Sequence, residues 1–438
     1  MLIEQRQNIC DYNRILNNSF MKLDKNFIKS LGPGLLWAGA AVGVSHLVQS
    51  TRAGANYGFY MVWVVILANF IKYPFFEFAP RYAAATGKNL IDGYHKIGKW
   101  AVGLYALFTF TTMFTIQAAV TVVTAGLVKN IMNLSLGVTS ISLILLLGTL
   151  ILLIVGKFSV LDKLIKFIII VLTISTIIAV FSAFMNPITT HLDTAKIFDW
   201  GRAVDLAFLI ALVGWMPAPI DVSVWHSYWS VEKQKETNYR PTLKEALLDF
   251  KIGYIGTAFL ALGFLSLGAL LMYGSGEQFS AKGGVFAGQL MHLYTLSIGQ
   301  WAYAIIAIAA FTTMFSTTLT CLDAYSKVLK PTTEYLLPKT KKFNNKLVWF
   351  WLLVVISGAL VLIYAFSSSM KFMVDLATTL SFVTAPVLAF LNYKAVTDSH
   401  ISELFRPGKY LRIYAQLGIL FLSIFSISYL IWKYSGLF

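Results

Sequence analysis

Long apolar stretches alternate with short polar connections along almost the whole chain. Each apolar stretch is about twenty residues long, the length of an α-helix that crosses a lipid bilayer. The stretches are centred near residues 45, 68, 112, 145, 173, 215, 262, 310, 357, 382 and 424. We therefore expect an all-α polytopic membrane protein with about eleven transmembrane helices, numbered here as spans 1 to 11.

Composition and charge placement support this expectation. The chain is 57% hydrophobic and only 13% charged, whereas a soluble domain carries about 25% charged residues. If the amino terminus is inside, 27 of the 35 Lys and Arg residues lie in inner segments, as the positive-inside rule requires. The net charge of +15 is thus a signal of orientation and not of nucleic-acid binding. We predict an integral protein of a plasma or bacterial inner membrane with a cytoplasmic amino terminus.

The predicted spans divide the chain into three parts. Residues 1–30 form a cytosolic amino-terminal tail, and residues 31–395 form a ten-helix transport core. Residues 396–438 add an inner loop and an eleventh helix. The connections between spans are too short for a soluble domain, and we expect no required protein partner besides the lipid bilayer.

Two spans contain an interruption that would leave backbone polar groups unpaired in lipid. Span 1 contains Gly43-Val44-Ser45-His46, and span 6 contains Met216-Pro217-Ala218-Pro219-Ile220-Asp221. A proline pair removes two backbone donors, and in lipid the freed carbonyls are tolerable where they line a cavity or coordinate something. A simple kink is the alternative. Because the interruptions are five spans apart, we favour a five-plus-five inverted repeat with the substrate site between broken helices 1 and 6.

Several short motifs in and beside the first six spans are typical of one family. They are Gly32-Pro33-Gly34, Arg52-Ala53-Gly54-Ala55-Asn56-Tyr57-Gly58, Leu67-Ala68-Asn69, Thr86-Gly87-Lys88-Asn89-Leu90 and Met216-Pro217. In these motifs the chain resembles the Nramp family of divalent-metal transporters, and the resemblance runs through the first ten spans. It implies a LeuT-like architecture with the amino terminus inside.

The family's functional motifs match less well than its structural ones. The family's first break reads Asp-Pro-Gly-Asn, and its Asp and Asn hold the metal. Counted back from the shared Ala-Gly-Ala, those positions are Gly43-Val44-Ser45-His46 here. The family's Met-Pro-His is Met216-Pro217-Ala218, and residues 114–124 of span 3 lack the acidic residues that serve proton transfer in the family. The resemblance therefore implies a relative with a rebuilt substrate site.

The candidate substrate site comprises the residues at the two breaks: Gly43, Ser45, His46, Met216 and Ala218. His46 is the most informative of them, because a neutral imidazole binds a metal whereas a protonated one favours an anion. Both His46 and Met216 also have a purely structural interpretation, as a hydrogen-bonded buried histidine and as core packing.

Three charged residues in the spans are further candidates for binding the substrate or a coupling ion: Arg52, Asp221 and Asp375. Ionisable side chains at membrane depth are functional candidates by default. Arg52 could instead reach the membrane interface, and Asp375 could be the i, i+4 partner of Lys371. If the substrate is a metal, the predicted ligands are His46, Met216 and Asp375.

The missing carboxylate decides which ion we favour. Removing it from a buried divalent site costs several kcal/mol, by analogy with breaking a buried ion pair. We therefore favour a secondary transporter that moves a small oxyanion such as bicarbonate by alternating access, coupled to Na⁺ or H⁺ through Asp221 or Asp375. A divalent metal (Mn²⁺, Fe²⁺ or Mg²⁺) stays open because Met216 is kept, and a non-transporting receptor with this fold is a third hypothesis. No nucleophile–base pair or phosphate-binding glycine motif is evident, so we expect neither an enzyme nor a cofactor.

Overall fold

Helices form every regular element in the part of the chain that the computed structural model describes, residues 30–155, 158–185, 196–276, 278–366 and 369–434. The α-helices are α1 (Pro33–Ala41), α2 (Thr51–Tyr57), α3 (Val62–Thr86), α4 (Leu90–Ile97), α5 (Lys99–Ile131), α6 (Val138–Val155), α7 (Phe158–Met185), α8 (Ala203–Trp215), α9 (Val222–Thr237), α10 (Leu243–Leu271), α11 (Gly283–Ile298), α12 (Tyr303–Leu336), α13 (Lys346–Ala365), α14 (Met370–Thr397) and α15 (Lys409–Tyr434). A π-helix (Val44–Ser50) joins α1 to α2. The predicted tail lies outside the described residues except for Ser30.

The predicted spans correspond to these helices. Spans 1 and 6 are the pairs α1–α2 and α8–α9, and spans 2, 3, 4, 5, 7, 8, 9, 10 and 11 are α3, α5, α6, α7, α10, α12, α13, α14 and α15. Among the described residues, eight helical stretches are long and apolar enough to cross a membrane, and one of them, Pro33–Thr86, contains spans 1 and 2 together. Shorter apolar helices, Ile169–Met185 and Ala203–Trp215, belong to spans 5 and 6. The all-α polytopic prediction is confirmed.

Both predicted interruptions are present. In span 6, α8 ends at Trp215 and α9 begins at Val222, so the Pro-containing segment between them is not helical. In span 1 the break is narrower than predicted. Only Val42 and Gly43 leave the helical conformation, and the chain resumes as the π-helix. The difference has a local cause, since span 6 loses two backbone donors to proline whereas residues 44–50 keep all of theirs.

Span 7 packs closely against both halves of span 1 at glycine residues. Helix α10 packs against α1, the π-helix and α2. A Cβ atom added to Gly34 would lie 2.2 Å from the carbonyl oxygen of Asp249, and one added to Gly54 would lie 1.9 Å from that of Leu265. The backbones of spans 1 and 7 are therefore in direct contact near both ends of span 1. The Gly-Pro-Gly and Ala-Gly-Ala motifs supply the glycines that this contact requires.

The carboxylate of Asp249 caps the start of α1. The backbone N–H of Gly32 donates to Asp249 Oδ1 at 2.9 Å, and that of Gly34 donates to Oδ2 at 2.6 Å. Pro33 between them has no N–H to satisfy, which suits the first turn of a helix. A carboxylate at this position also interacts favourably with the positive end of the helix dipole.

Candidate functional site

At the position where the family has its metal-binding carboxylate, this chain has a glycine that packs against a neighbouring helix. Gly43 lies at the break of span 1 with φ −129° and ψ −122°. A Cβ atom built on Gly43 would lie 2.7 Å from Thr317 Oγ1 and 2.8 Å from its Cγ2. Thr317 belongs to α12 and donates its hydroxyl to Gly39 and Thr313 carbonyls at 3.3 and 3.1 Å. A carboxylate at residue 43 would therefore have to displace the Thr317 side chain.

Ser45 and His46 form a short hydrogen-bond chain at the start of the π-helix. Ser45 Oγ lies 2.5 Å from the carbonyl oxygen of Ala41 and 2.7 Å from His46 Nδ1. His46 Nε2 lies 3.0 Å from the carbonyl oxygen of Thr257 in α10. Because a carbonyl only accepts, Nε2 carries a proton. The Ser45 hydroxyl, with its single proton, lies between two acceptors, the Ala41 carbonyl and Nδ1 of the neutral ring.

The break of span 6 places Met216 and Ala218 in the interior, both fully buried. The Met216 side chain belongs to an apolar cluster that includes Leu265 and Phe382. The Met216–Pro217 peptide bond is cis. The π-helix of span 1 packs against α8, so the elements that carry the two breaks are in contact, as the sequence predicts.

Lys72 of span 2 places a basic side chain at the break of span 6. Its side chain is fully buried, and its ammonium donates to the carbonyl oxygens of Val213 at 2.6 Å, Gly214 at 2.8 Å and Ala218 at 3.3 Å. Pro217 has no N–H to offer the Val213 carbonyl, so the helix leaves this acceptor open. The lysine satisfies acceptors that the broken helix cannot.

Asp221 lies just before α9, on the other side of the same break. It is buried, and Tyr325 of α12 donates to its Oδ2 at 3.3 Å. Span 6 therefore carries a buried acidic group and, through span 2, a buried basic group on the two sides of one interruption.

Arg52 and Asp375 form an ion pair that joins spans 1 and 10. Arg52 Nη1 lies 3.0 Å from Asp375 Oδ1 and also donates to Gln49 Oε1 at 2.8 Å. The guanidinium carbon lies 5.2 Å from the ring centroid of Phe208 in α8. Arg52 is buried, so it does not reach the interface, and Asp375 pairs with it rather than with Lys371.

The structure thus brings Arg52 together with Asp375, and Ser45 together with His46. Both ring nitrogens of His46 have protein partners in this conformation. Within the described ranges, no three His, Cys, Asp or Glu side chains converge into a group that could hold a metal ion. This arrangement provides hydrogen-bonding groups and balanced charge around the breaks, and no carboxylate cluster.

Sequence reasoning missed three residues that shape the site: Thr317, Lys72 as a partner of span 6, and Asp249 as the cap of α1. A charged residue in the middle of an apolar stretch was a visible signal for Lys72, but its partners lie more than 140 positions away. Thr317 carries no signal, because threonine in an apolar helix is unremarkable.

Comparison with known proteins agrees with this architecture. The family model described as natural resistance-associated macrophage protein-like, or Nramp, matches residues 34–433. An uncharacterized protein of Pasteurella multocida (strain Pm70) is 36% identical over 404 residues, covering 92% of each chain.

Solved structures of low sequence identity share the fold. A manganese transporter from Eremococcus coleocola, in complex with an aromatic bis-isothiourea substituted compound, superposes with a TM-score of 0.67 at 14% identity, covering 92% of this chain and 86% of that one. MhsT in complex with L-phenylalanine gives a TM-score of 0.58 at 14% identity, covering 90% and 98%. Both have the LeuT fold, which confirms the predicted inverted repeat. With two broken spans at its centre, this chain is an integral membrane transporter that belongs to the Nramp family.

Proposed function

We propose that the chain moves a small inorganic ion by alternating access between spans 1 and 6, and that this ion is a small oxyanion such as bicarbonate. The observation that carries the proposal is the packing of Thr317 against Gly43. The chain has no carboxylate at the position where the family holds its divalent metal, and Thr317 packs closely against that position. A site without an anionic ligand favours an ion that does not need one.

Two contacts, here called closures, join span 1 to neighbouring spans on opposite sides of the site and support alternating access. On the predicted outer side, Arg52 links span 1 to Asp375 of span 10. On the predicted inner side, Asp249 of span 7 fixes the start of α1. Ser45 and His46 between these closures are buried. An ion bound at the breaks would reach either side only after one closure opens.

The charge around the breaks fits a monovalent ion. Arg52 and Asp375 form an ion pair, and Lys72 and Asp221 place a buried basic and a buried acidic residue at the break of span 6. His46 adds a buried imidazole whose Nε2–H is held by Thr257. If the ring turned away from Thr257, that N–H would be a donor for an oxyanion.

A divalent metal is the second candidate, and two observations favour it. Met216 keeps the soft sulfur ligand of the family at the break of span 6. Several structural neighbours are named manganese transporters. In this alternative, His46 and Met216 bind the metal and Asp375 supplies the carboxylate after Arg52 releases it.

Flux into proteoliposomes distinguishes the two ions. The full chain is reconstituted with a pH-sensitive dye inside to follow bicarbonate, and in parallel with a metal-quenched dye to follow Mn²⁺. We expect saturable bicarbonate flux and no saturable Mn²⁺ flux. Saturable Mn²⁺ uptake at micromolar concentration that is lost in Met216→Ala would refute the oxyanion and establish the metal.

The coupling ion is tested by imposing a Na⁺ gradient or a pH gradient on the same vesicles. We propose that coupling runs through Asp221 or Asp375, because residues 114–124 of span 3 contain no acidic residue. Asp221→Asn or Asp375→Asn should weaken the ion dependence. Asp323→Asn is the matched control, since Asp323 is another buried carboxylate and its partner at 2.7 Å, Lys327, lies on the same helix. Equal loss in all three variants would contradict the assignment.

A further inference from the structure

The break of span 6 creates a set of backbone carbonyls that resembles a cation site. The carbonyls of Val213 and Gly214 end the half-helix α8, where the negative end of its dipole lies. The carbonyl of Ala218 comes from the unwound segment that follows. In transporters with discontinuous helices, unwound carbonyls and half-helix carboxyl ends coordinate Na⁺.

In this chain the three carbonyls bind an ammonium group instead. Lys72 Nζ is within 2.6, 2.8 and 3.3 Å of them, so all three N–H donors of the ammonium have an acceptor. The lysine is fully buried in the middle of span 2. Asp221, a buried acidic residue, lies beyond the same break. A monovalent cation of fixed position is thus built into the protein.

We propose that Lys72 is a tethered cation: its ammonium permanently fills a monovalent-cation site formed by the carbonyls of Val213, Gly214 and Ala218. The broken helix then needs no dissolved Na⁺ at this position to satisfy its carbonyls. The assignment depends on the fold and on these contacts, and it does not depend on which ion the protein transports.

Removing the side chain should turn the filled site into an open one. Lys72→Ala deletes the ammonium and most of its stem, and leaves a space lined by three carbonyls that matches methylammonium in charge and donor number. Purified full-length protein is heated in detergent at constant ionic strength with choline, Na⁺ or methylammonium as the chloride salt. Thermal unfolding is followed by the loss of the monodisperse peak on size-exclusion chromatography.

We expect the wild-type Tm to be the same in methylammonium as in choline. Lys72→Ala should have a lower Tm in choline, and methylammonium or Na⁺ should raise it saturably by at least ~2 °C, as ligand binding to the folded state alone predicts. Lys371→Ala is the matched control, because Lys371 is exposed on α14. Its Tm should not respond to the choice of cation.

If Lys72→Ala is not recovered folded, Lys72→Ser provides the same test, since its short side chain also leaves the site open while its hydroxyl keeps one donor. A variant whose Tm responds to Na⁺ and methylammonium no more than Lys371→Ala overturns the proposal, and Lys72 is then a helix cap and nothing else. A saturable methylammonium effect on the wild type that persists in the variant also overturns it. These measurements need no transport, so their outcome is independent of the bicarbonate and Mn²⁺ flux results.

Discussion

The ion pair of Arg52 and Asp375 connects two helices across 323 positions of sequence, and its two members should differ in importance. The side chain of Arg52 is 7% exposed and that of Asp375 is 35% exposed. Asp375→Asn leaves the guanidinium with Gln49 and Phe208 as partners. Arg52→Gln removes two hydrogen bonds and the cation–π contact together.

The magnitudes follow from these contacts. An ion pair with one partly exposed member is close to the exposed class, so Asp375→Asn should cost about 1 kcal/mol. Arg52→Gln also loses a charge-assisted bond to Gln49 and a cation–π contact of roughly 0.5–1 kcal/mol, so its cost should reach about 2–4 kcal/mol. The coupling between the two sites should be about 1 kcal/mol.

A double-mutant cycle measures this coupling. Thermal unfolding of the wild type, both single variants and the double variant is compared at low and high salt. The coupling should fall at high salt, because the Asp375 side chain is 35% exposed and screening weakens partly exposed pairs. Glu403→Gln is the control, since that carboxylate is 93% exposed and should change stability by no more than the measurement error. Additive single variants, or Asp375→Asn more damaging than Arg52→Gln, would refute the reasoning.

Three further outcomes are expected. Gly54→Ala should abolish recovery of folded protein because its Cβ would lie 1.9 Å from a carbonyl oxygen. Gly148→Ala is the control, because its Cβ would have no atom within 4 Å, and it should leave the Tm unchanged or slightly higher. Size-exclusion chromatography of both variants tests this. Asp249→Ala should lower stability by about 1–3 kcal/mol through loss of the α1 cap, measured as a fall in Tm that Asp249→Asn partly restores. Hydrogen bonds from His400 hold the pKa of Asp398 below its usual range, so its contribution is present above about pH 4 and fades as the pH falls further. The difference in Tm between the wild type and Asp398→Asn should therefore shrink in that range.

Local chemistry made the fold predictable. The proline pair at residues 217 and 219 removes backbone donors whatever surrounds it, so a break in span 6 followed from the sequence directly. In span 1 the sequence indicated where the break lies and not how wide it is. Ser45 and His46 keep their backbone donors, and the π-helix that contains them depends on contacts with span 7 such as the one from His46 to Thr257.

The candidate site was less predictable because its contacts join distant positions. The spacing of Lys371 and Asp375 suggested an i, i+4 pair, but the buried guanidinium of Arg52 offers the carboxylate a partner that is held in place. Gly43 was identified as a missing ligand, and only the packed structure shows that Thr317 fills the vacated space. Helix periodicity does not encode which span faces which.

The glycine contacts of span 7 also bear on how the molecule could be trapped in one state. One rigid helix touches both halves of span 1, at Gly34 and at Gly54, so movement of either half relative to it must separate backbones that are already as close as they can be. The contact at Gly34 is reinforced by the Asp249 carboxylate. A binder or cross-link that staples α1 to α10 would therefore cost little distortion, and it would arrest the cycle with the predicted inner gate shut. Such a reagent would turn a transient conformer into a stable sample for crystallography or drug screening.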